Sequence, residues 1–424
     1  MQNIIELANK LYNEIQGIDV VDIHEHLNPS RLSAKSFNDI IFYHYIVTEL
    51  ISAGMNREEF EKLSPIDRFA KVLPYFKFIR NTATFWSLKQ ILKDLYGLDI
   101  NEINESNWKK VVESIESKGS DSTWVYTVLR KFCRVKKSFL TLSPLEPIPI
   151  YDRDIFTGAL RLDVLVQNMS KDVILDLENR YSLSIERIED LDHVLEIIFN
   201  RFDQHIVAVT LPIQPDDIFR ITHRNEVSLY LRELRSKGAI GYEAKCALAS
   251  YILHKILTLC SEHKKVFQMM LGVKRPVPKA APPDYAIIMY NPEQLYILAQ
   301  IFAIYSDVKF DVFIADSTLS HQVTVIAKNY PNVYLSGYWW YSMYPEIIKS
   351  YLRLRLQMLP YNKIGGFFSD AYVIEWVYGK ILLAKKQIAY VLVEMITEGY
   401  IDNDLAMDIA HALLHENATK LYNV

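Results

Sequence analysis

Cysteine is scarce in this chain. Cys133, Cys246 and Cys260 are odd in number, widely spaced and without a CxxC, which excludes a disulfide framework and a thiolate metal site and suits a reducing, cytoplasmic setting. Charge of one sign is missing as well. With 47 basic and 51 acidic side chains, the formal charge of −4 gives no general attraction to nucleic acid or to an anionic membrane. No uncharged run is long enough to span a bilayer. Residues 1–17, with Glu6, Lys10 and Glu14, read as a polar amphipathic helix rather than a signal peptide. No glycine-rich phosphate loop follows the first strand-like run, which counts against a doubly wound sheet, the second-ranked architecture. Internal repeats and low-complexity tracts are absent too.

Half the residues are apolar, enough for a large core. Eight strand-like runs recur along the chain, at 18–23, 138–142, 157–162, 205–211, 266–271, 310–315, 333–337 and 364–368. Most are continuously apolar, as in strands covered on both faces, and helical patterns at 190–200, 242–262, 292–305 and 345–358 separate them. This alternation predicts a single (β/α)8 TIM barrel over residues 1–424, closed, with eight parallel strands. Residues 28–135 break the rhythm with helical spacing at 64–73, 82–96 and 105–118, and read as a helical cap inserted after the first strand on the active-site side. Proline-rich stretches at 144–149 and 276–283 read as rigid loops on the same face. The C-terminal part, 371–424, reads as helices at 372–398 and 403–420, with Gly399 as a stop and Asp402 as an N-cap.

The candidate chemistry starts at the end of the first run, Asp22-Ile23-His24-Glu25-His26. Strand alternation sends His24 and His26 to one face and Glu25 to the other, which makes half of a metal site. The eighth run ends in Ser369-Asp370, and the first and eighth strands are neighbours in a closed barrel. His24, His26 and Asp370 are therefore the expected ligands of one divalent ion, with zinc the first choice; the other reading makes Asp370 a helix N-cap. His411 and His415 share a helix face but lie far from any strand end and read as ordinary surface. Arg161 closes the third run and is expected either to meet an anion or to pair with Asp163 or Asp22.

These histidines and Asp370 resemble the metal-dependent amidohydrolase superfamily, and within it the chain resembles a divergent branch of the uronate isomerases. The resemblance extends over Tyr43-His44-Tyr45, Ala159 to Asp163, Met269 to Lys274, Gly337 to Trp340 and Ser369-Asp370-Ala371, in order along the chain. It implies aldose–ketose isomerisation of a hexuronate, a small sugar acid, as substrate. His44 and Tyr45 would take part in proton transfer beside Asp370, Arg161, Trp339, Trp340 and Tyr372 would form the substrate wall, and Lys274 and Arg275, which follow the fifth run, either reach the site or cover its rim. Met270 and Ile314 stand where hydrolytic members carry further histidines, which implies one metal rather than two. The chain departs from the isomerases at Tyr372, where they have arginine, and at Leu142-Ser143-Pro144, which replaces an acidic element. Those departures leave two other readings open, a mononuclear hydrolase or decarboxylase of a small carboxylated substrate and a sugar-acid-binding barrel without turnover. A homo-oligomer is compatible with all three.

Overall fold

The computed structural model describes residues 2–119, 121–280 and 284–424. Eight strands form one sheet: β1 (Val20–Glu25), β2 (Val135–Leu142), β3 (Phe156–Arg161), β4 (Ile206–Pro212), β5 (Val266–Leu271), β6 (Phe310–Ile314), β7 (Val333–Ser336) and β8 (Ile364–Gly365). They pair in chain order, and every pair is parallel. Intervening helices such as Ile188–Phe202, Tyr242–Glu262, Pro292–Ile304 and Pro345–Met358 cover the outside, and the fold is the expected α/β barrel.

Its closure differs from expectation. Among the described residues no ladder joins β1 to β8; the seam is crossed instead by Asp370 N to His24 O at 3.0 Å and His26 N to Ala371 O at 2.8 Å. The Asp22 carboxylate adds a third bond, accepting from Ser369 N at 2.8 Å. The eighth strand is also shorter than its apolar run predicts. After Gly365 the chain turns towards the C-terminal helices, where Gly366 N donates to Leu413 O at 2.8 Å and so is lost to the sheet.

Burial on both strand faces produces two cores. Inside the barrel lie Val21, Ile23, Phe139, Ala159, Ala208, Met270, Phe313 and Phe368, and between strands and helices lies the larger aliphatic shell. Tyr422, from the helix Asn417–Tyr422, also belongs to the inner cluster; its hydroxyl meets Asp311 and accepts from Gln268 Nε2 at 3.0 Å.

The segment between β1 and β2 is helical, as its spacing predicts. The helix His44–Ser52 opens at the mouth of the barrel, while later parts pack on the long C-terminal helix Ile374–Thr397. Buried Glu375 of that helix ties the two together, accepting from Ala34 N at 3.1 Å and Trp124 Nε1 at 2.9 Å. Gly399, at φ +79°, stops the helix, and Asp402 caps the next through Leu405 N at 2.8 Å. After β5 the chain makes a two-stranded antiparallel pair, Val273–Lys274 with Ile287–Ile288. Of the proline-rich stretch between them, Pro282 and Pro283 lie outside the described residues. No described helix is long and apolar enough to cross a membrane.

Candidate active site

Val21 and Ile23 face the barrel interior, so unbroken alternation would turn His24 outward. The strand solves this with a bulge. Between Asp22 and Glu25 it carries one residue more than β2 does between Ser138 and Leu140, so Ile23 and His24 both face inward. His24 then packs against Phe313 and, edge-on, against Phe368, with ring centroids 6.1 and 5.7 Å apart. Gly337 makes room for that support. At φ +58°, a Cβ there would meet the Phe368 ring at 2.1 Å. Glu25 turns away, its carboxylate accepting from Leu27 N.

Asp370 meets the histidines from across the seam. Its Oδ1 lies 3.5 Å from His24 Nε2 and 3.2 Å from His26 Nε2. Asp370 adopts φ +50°, in the left-handed region that aspartate tolerates better than most residues and that clusters at functional sites. Both ring nitrogens of His24 are buried without a hydrogen-bond partner. Burial holds the His24 pKa down to about 4, so its imidazole is neutral at pH 7. Burial opposes ionisation of Asp370 as well, but His24, His26 and Lys380 outweigh it and hold this carboxyl well below the usual range. Two neutral-capable imidazoles and a carboxylate, with donor atoms within 4.8 Å of one another, fit a single divalent metal ion. Met270 and Ile314 provide no donors for a second, and His411 and His415 belong to no such cluster among the described residues.

A cavity of about 280 Å3 opens over these ligands, lined by His26, His44, Tyr45, Arg161, Met270, Arg275, Asp284, Trp339, Trp340, Asp370 and Tyr372, with Pro212. Tyr45 donates to Asp370 Oδ2 at 3.4 Å, and Tyr372 stacks on His26 at 5.0 Å. Arg161 takes the expected pairing with Asp163 and also lines the cavity. Its Nε is held by Asp163 at 2.6 Å, while its terminal nitrogens have no hydrogen bond among the described residues and face the cavity wall. Lys274 is not brought in: its Nζ turns outward to the exposed Asp216 carboxylate at 2.7 Å. The next residue, Arg275, lines the cavity instead and lies 5.2 Å over Trp340. Trp340 itself sits at φ +48°, an unusual backbone for a bulky aromatic.

Two charged residues at this site escaped sequence reasoning. Asp284 reaches the cavity from the loop after β5, and burial pushes its pKa up to about 6. Lys380 is fully enclosed in the helix Ile374–Thr397, where burial lowers its pKa to about 8 against the pull of Asp370 and Asp22. A lysine inside an otherwise buried helix was the available signal for the second; the first had none beyond its proline-rich setting. Burial also sets the proton states of His44 and Tyr45. It lowers His44 to about 3, assisted by Lys380, and raises Tyr45 well above the usual tyrosine value.

No protein-family model matches the chain. A uronate isomerase of Cutibacterium acnes (strain DSM 16379 / KPA171202) is 25% identical over 120 residues, which is 28% of this chain and 26% of that protein. The matched stretch thus spans about a quarter of the relative's length. Among solved structures, a uronate isomerase from Thermotoga maritima superposes with a TM-score of 0.89 at 16% identity, covering 98% of this chain and 97% of its own. A glucuronate isomerase from Caulobacter crescentus gives 0.87 at 15%, covering 99% and 94%. At such identities the likeness establishes the shared barrel fold.

Proposed function

We propose that this chain is a metal-dependent aldose–ketose isomerase of hexuronates such as D-glucuronate and D-galacturonate, using one zinc ion held by His24, His26 and Asp370. The observation that carries the reading is the grouping of these three donors beside one cavity that His44, Tyr45 and Arg161 also line. The names of the similar proteins support the substrate class. Charge supports it too. Arg161 and Arg275 face Asp284 and Asp370 across the cavity, and a divalent ion tips this balance towards an anion.

When bound, the ion supplies Lewis acidity for the substrate's oxygens. The rest falls to the chain. Arg161 offers its free guanidinium edge to the sugar carboxylate, in the planar geometry that suits carboxylate recognition. His44, kept neutral by burial, accepts the carbon-bound proton and returns it to the adjacent carbon, while Tyr45 stays protonated and donates to the oxygen where negative charge develops. Trp339 and Trp340 stack on the sugar's C–H faces and keep water out. We place the protein in the cytoplasm on its cysteine usage, with Cys133 and Cys260 buried as free thiols.

Proton NMR in D2O tests the proposal. The purified chain with zinc should consume the aldose C1 signal of one of the two uronates and yield the ketose. No ketose from either sugar, with metal occupancy confirmed, rejects it. Tyr372 is the observation that favours the alternatives, because it places a neutral ring over His26 where the isomerases have arginine. A hydrolase or decarboxylase would release product from another carboxylated substrate in the same assay, and a binding barrel would bind the uronates unchanged.

A further inference from the structure

We propose that Lys380, together with Tyr43, is a positioning residue that fixes Asp370 through its peptide carbonyl and aligns Tyr45 beside it. The inference rests on the reading of His24, His26 and Asp370 as metal ligands.

The Asp370 backbone is restrained on both sides. Its N–H donates to the carbonyl of His24, itself a ligand, at 3.0 Å. Its carbonyl accepts from Lys380 Nζ at 3.1 Å and from the Tyr43 hydroxyl at 3.2 Å. A left-handed backbone at a non-glycine residue persists when its surroundings over-determine it, and here the two donors come from different parts of the fold. Tyr43 directly precedes the cap helix His44–Ser52, and Lys380 belongs to the C-terminal helix. The ammonium makes no other hydrogen bond among the described residues; it lies over the rings of Tyr43 and Tyr45, 5.3 and 4.9 Å from their centroids. One buried cation thus orients the ligand's peptide and the aromatic ring whose hydroxyl reaches the same carboxylate.

Lys385, five residues further along the helix, shows that the contact is not a general way of burying lysine there. Its Nζ binds the carbonyls of Gln16 and Ile18 at 3.2 and 3.0 Å, at the foot of β1 and away from the ligands. It supplies the structural control.

The experiment titrates Co2+ and Zn2+ into the parent protein, Lys380→Met, Tyr43→Phe and Lys385→Met, reading affinity by chelator competition and ligand geometry from the visible spectrum of bound Co2+. Lys380→Met and Tyr43→Phe should each weaken affinity by roughly 10- to 100-fold, as expected for lost partners behind a metal ligand, and shift the Co2+ bands. Lys385→Met should lower Tm yet retain parent affinity and spectrum. If Lys380→Met does not fold, Tyr43→Phe, which removes one oxygen atom, decides alone. Parent affinity and spectrum in the folded variants overturn the inference while leaving the metal reading intact. Absence of ion binding by the parent protein overturns both.

Discussion

Asp370 is a carboxylate aimed at two imidazoles, a carbonyl held by two donors and a left-handed turn within one residue. Elemental analysis should find one zinc per chain, lost in His24→Ala and in Asp370→Asn with the fold retained by circular dichroism. Retained binding in both variants would place the ion elsewhere. Arg161→Met should weaken a uronate, measured by calorimetry, by about 1.5–3 kcal/mol, the worth of a charge-assisted hydrogen bond. Undiminished affinity would assign the anion to Arg275. Tyr372→Arg should raise turnover in a weakened isomerase and leave it unchanged in a pocket rebuilt for another substrate. Most of these residues were legible because their types are rare at the ends of apolar strands. Lys274 misled because neighbouring cations in an irregular loop carry no periodicity to tell which one turns inward, and Asp284 was hidden for the same reason.

Among the elements, β1 is the instructive one. Sequence alternation predicts that His24 and His26 share a face, but not that Val21 and Ile23 share it with them; one inserted position reconciles both. Deleting Ile23 should therefore leave the histidines inward and preserve metal binding. Deleting Glu25 makes the histidines adjacent, sends them to opposite faces and should abolish binding. Equal metal content in the two deletion variants would contradict the bulge. All eight strands were readable from apolar runs, whereas β8 was overestimated because a run of Phe367 and Phe368 looks the same whether it continues a sheet or packs inside a barrel.

At the scale of the molecule, the barrel floor carries a buried acid. Burial pushes Asp311 up to about 6 from the usual 3.8, against the hydrogen bond from Tyr422 and the charge of Arg355. The unfolded chain releases this proton near pH 3.8 and the folded chain near pH 6, so the stability that Asp311 contributes is complete below the first value and lost by the second. A shift of this size corresponds to a change on the order of 3 kcal/mol. Asp311→Asn should flatten the pH dependence of the urea midpoint between these values, and an unchanged slope would remove Asp311 as its cause. Tyr422→Phe removes the hydroxyl that meets Asp311, while Gln268 keeps its bond to the Ile23 carbonyl, and should cost about 1–3 kcal/mol. Neither group was foreseen, since nothing in a C-terminal helix pattern says that its tyrosine enters the barrel.

The seam has a consequence for synthesis on the ribosome. Asp22 and Ser369, which bridge it, are 347 residues apart in the chain. At ~5–20 residues per second, the first strand waits roughly 20–70 s for the partner that completes the donor set. A nascent or truncated chain that stops short of Asp370 has two imidazoles, an open edge and no carboxylate to join them. With His24, His26 and Asp370 as the proposed ligands, a chain truncated before Asp370 should hold the ion more weakly than one that reaches it, which chelator competition on the two chains would show.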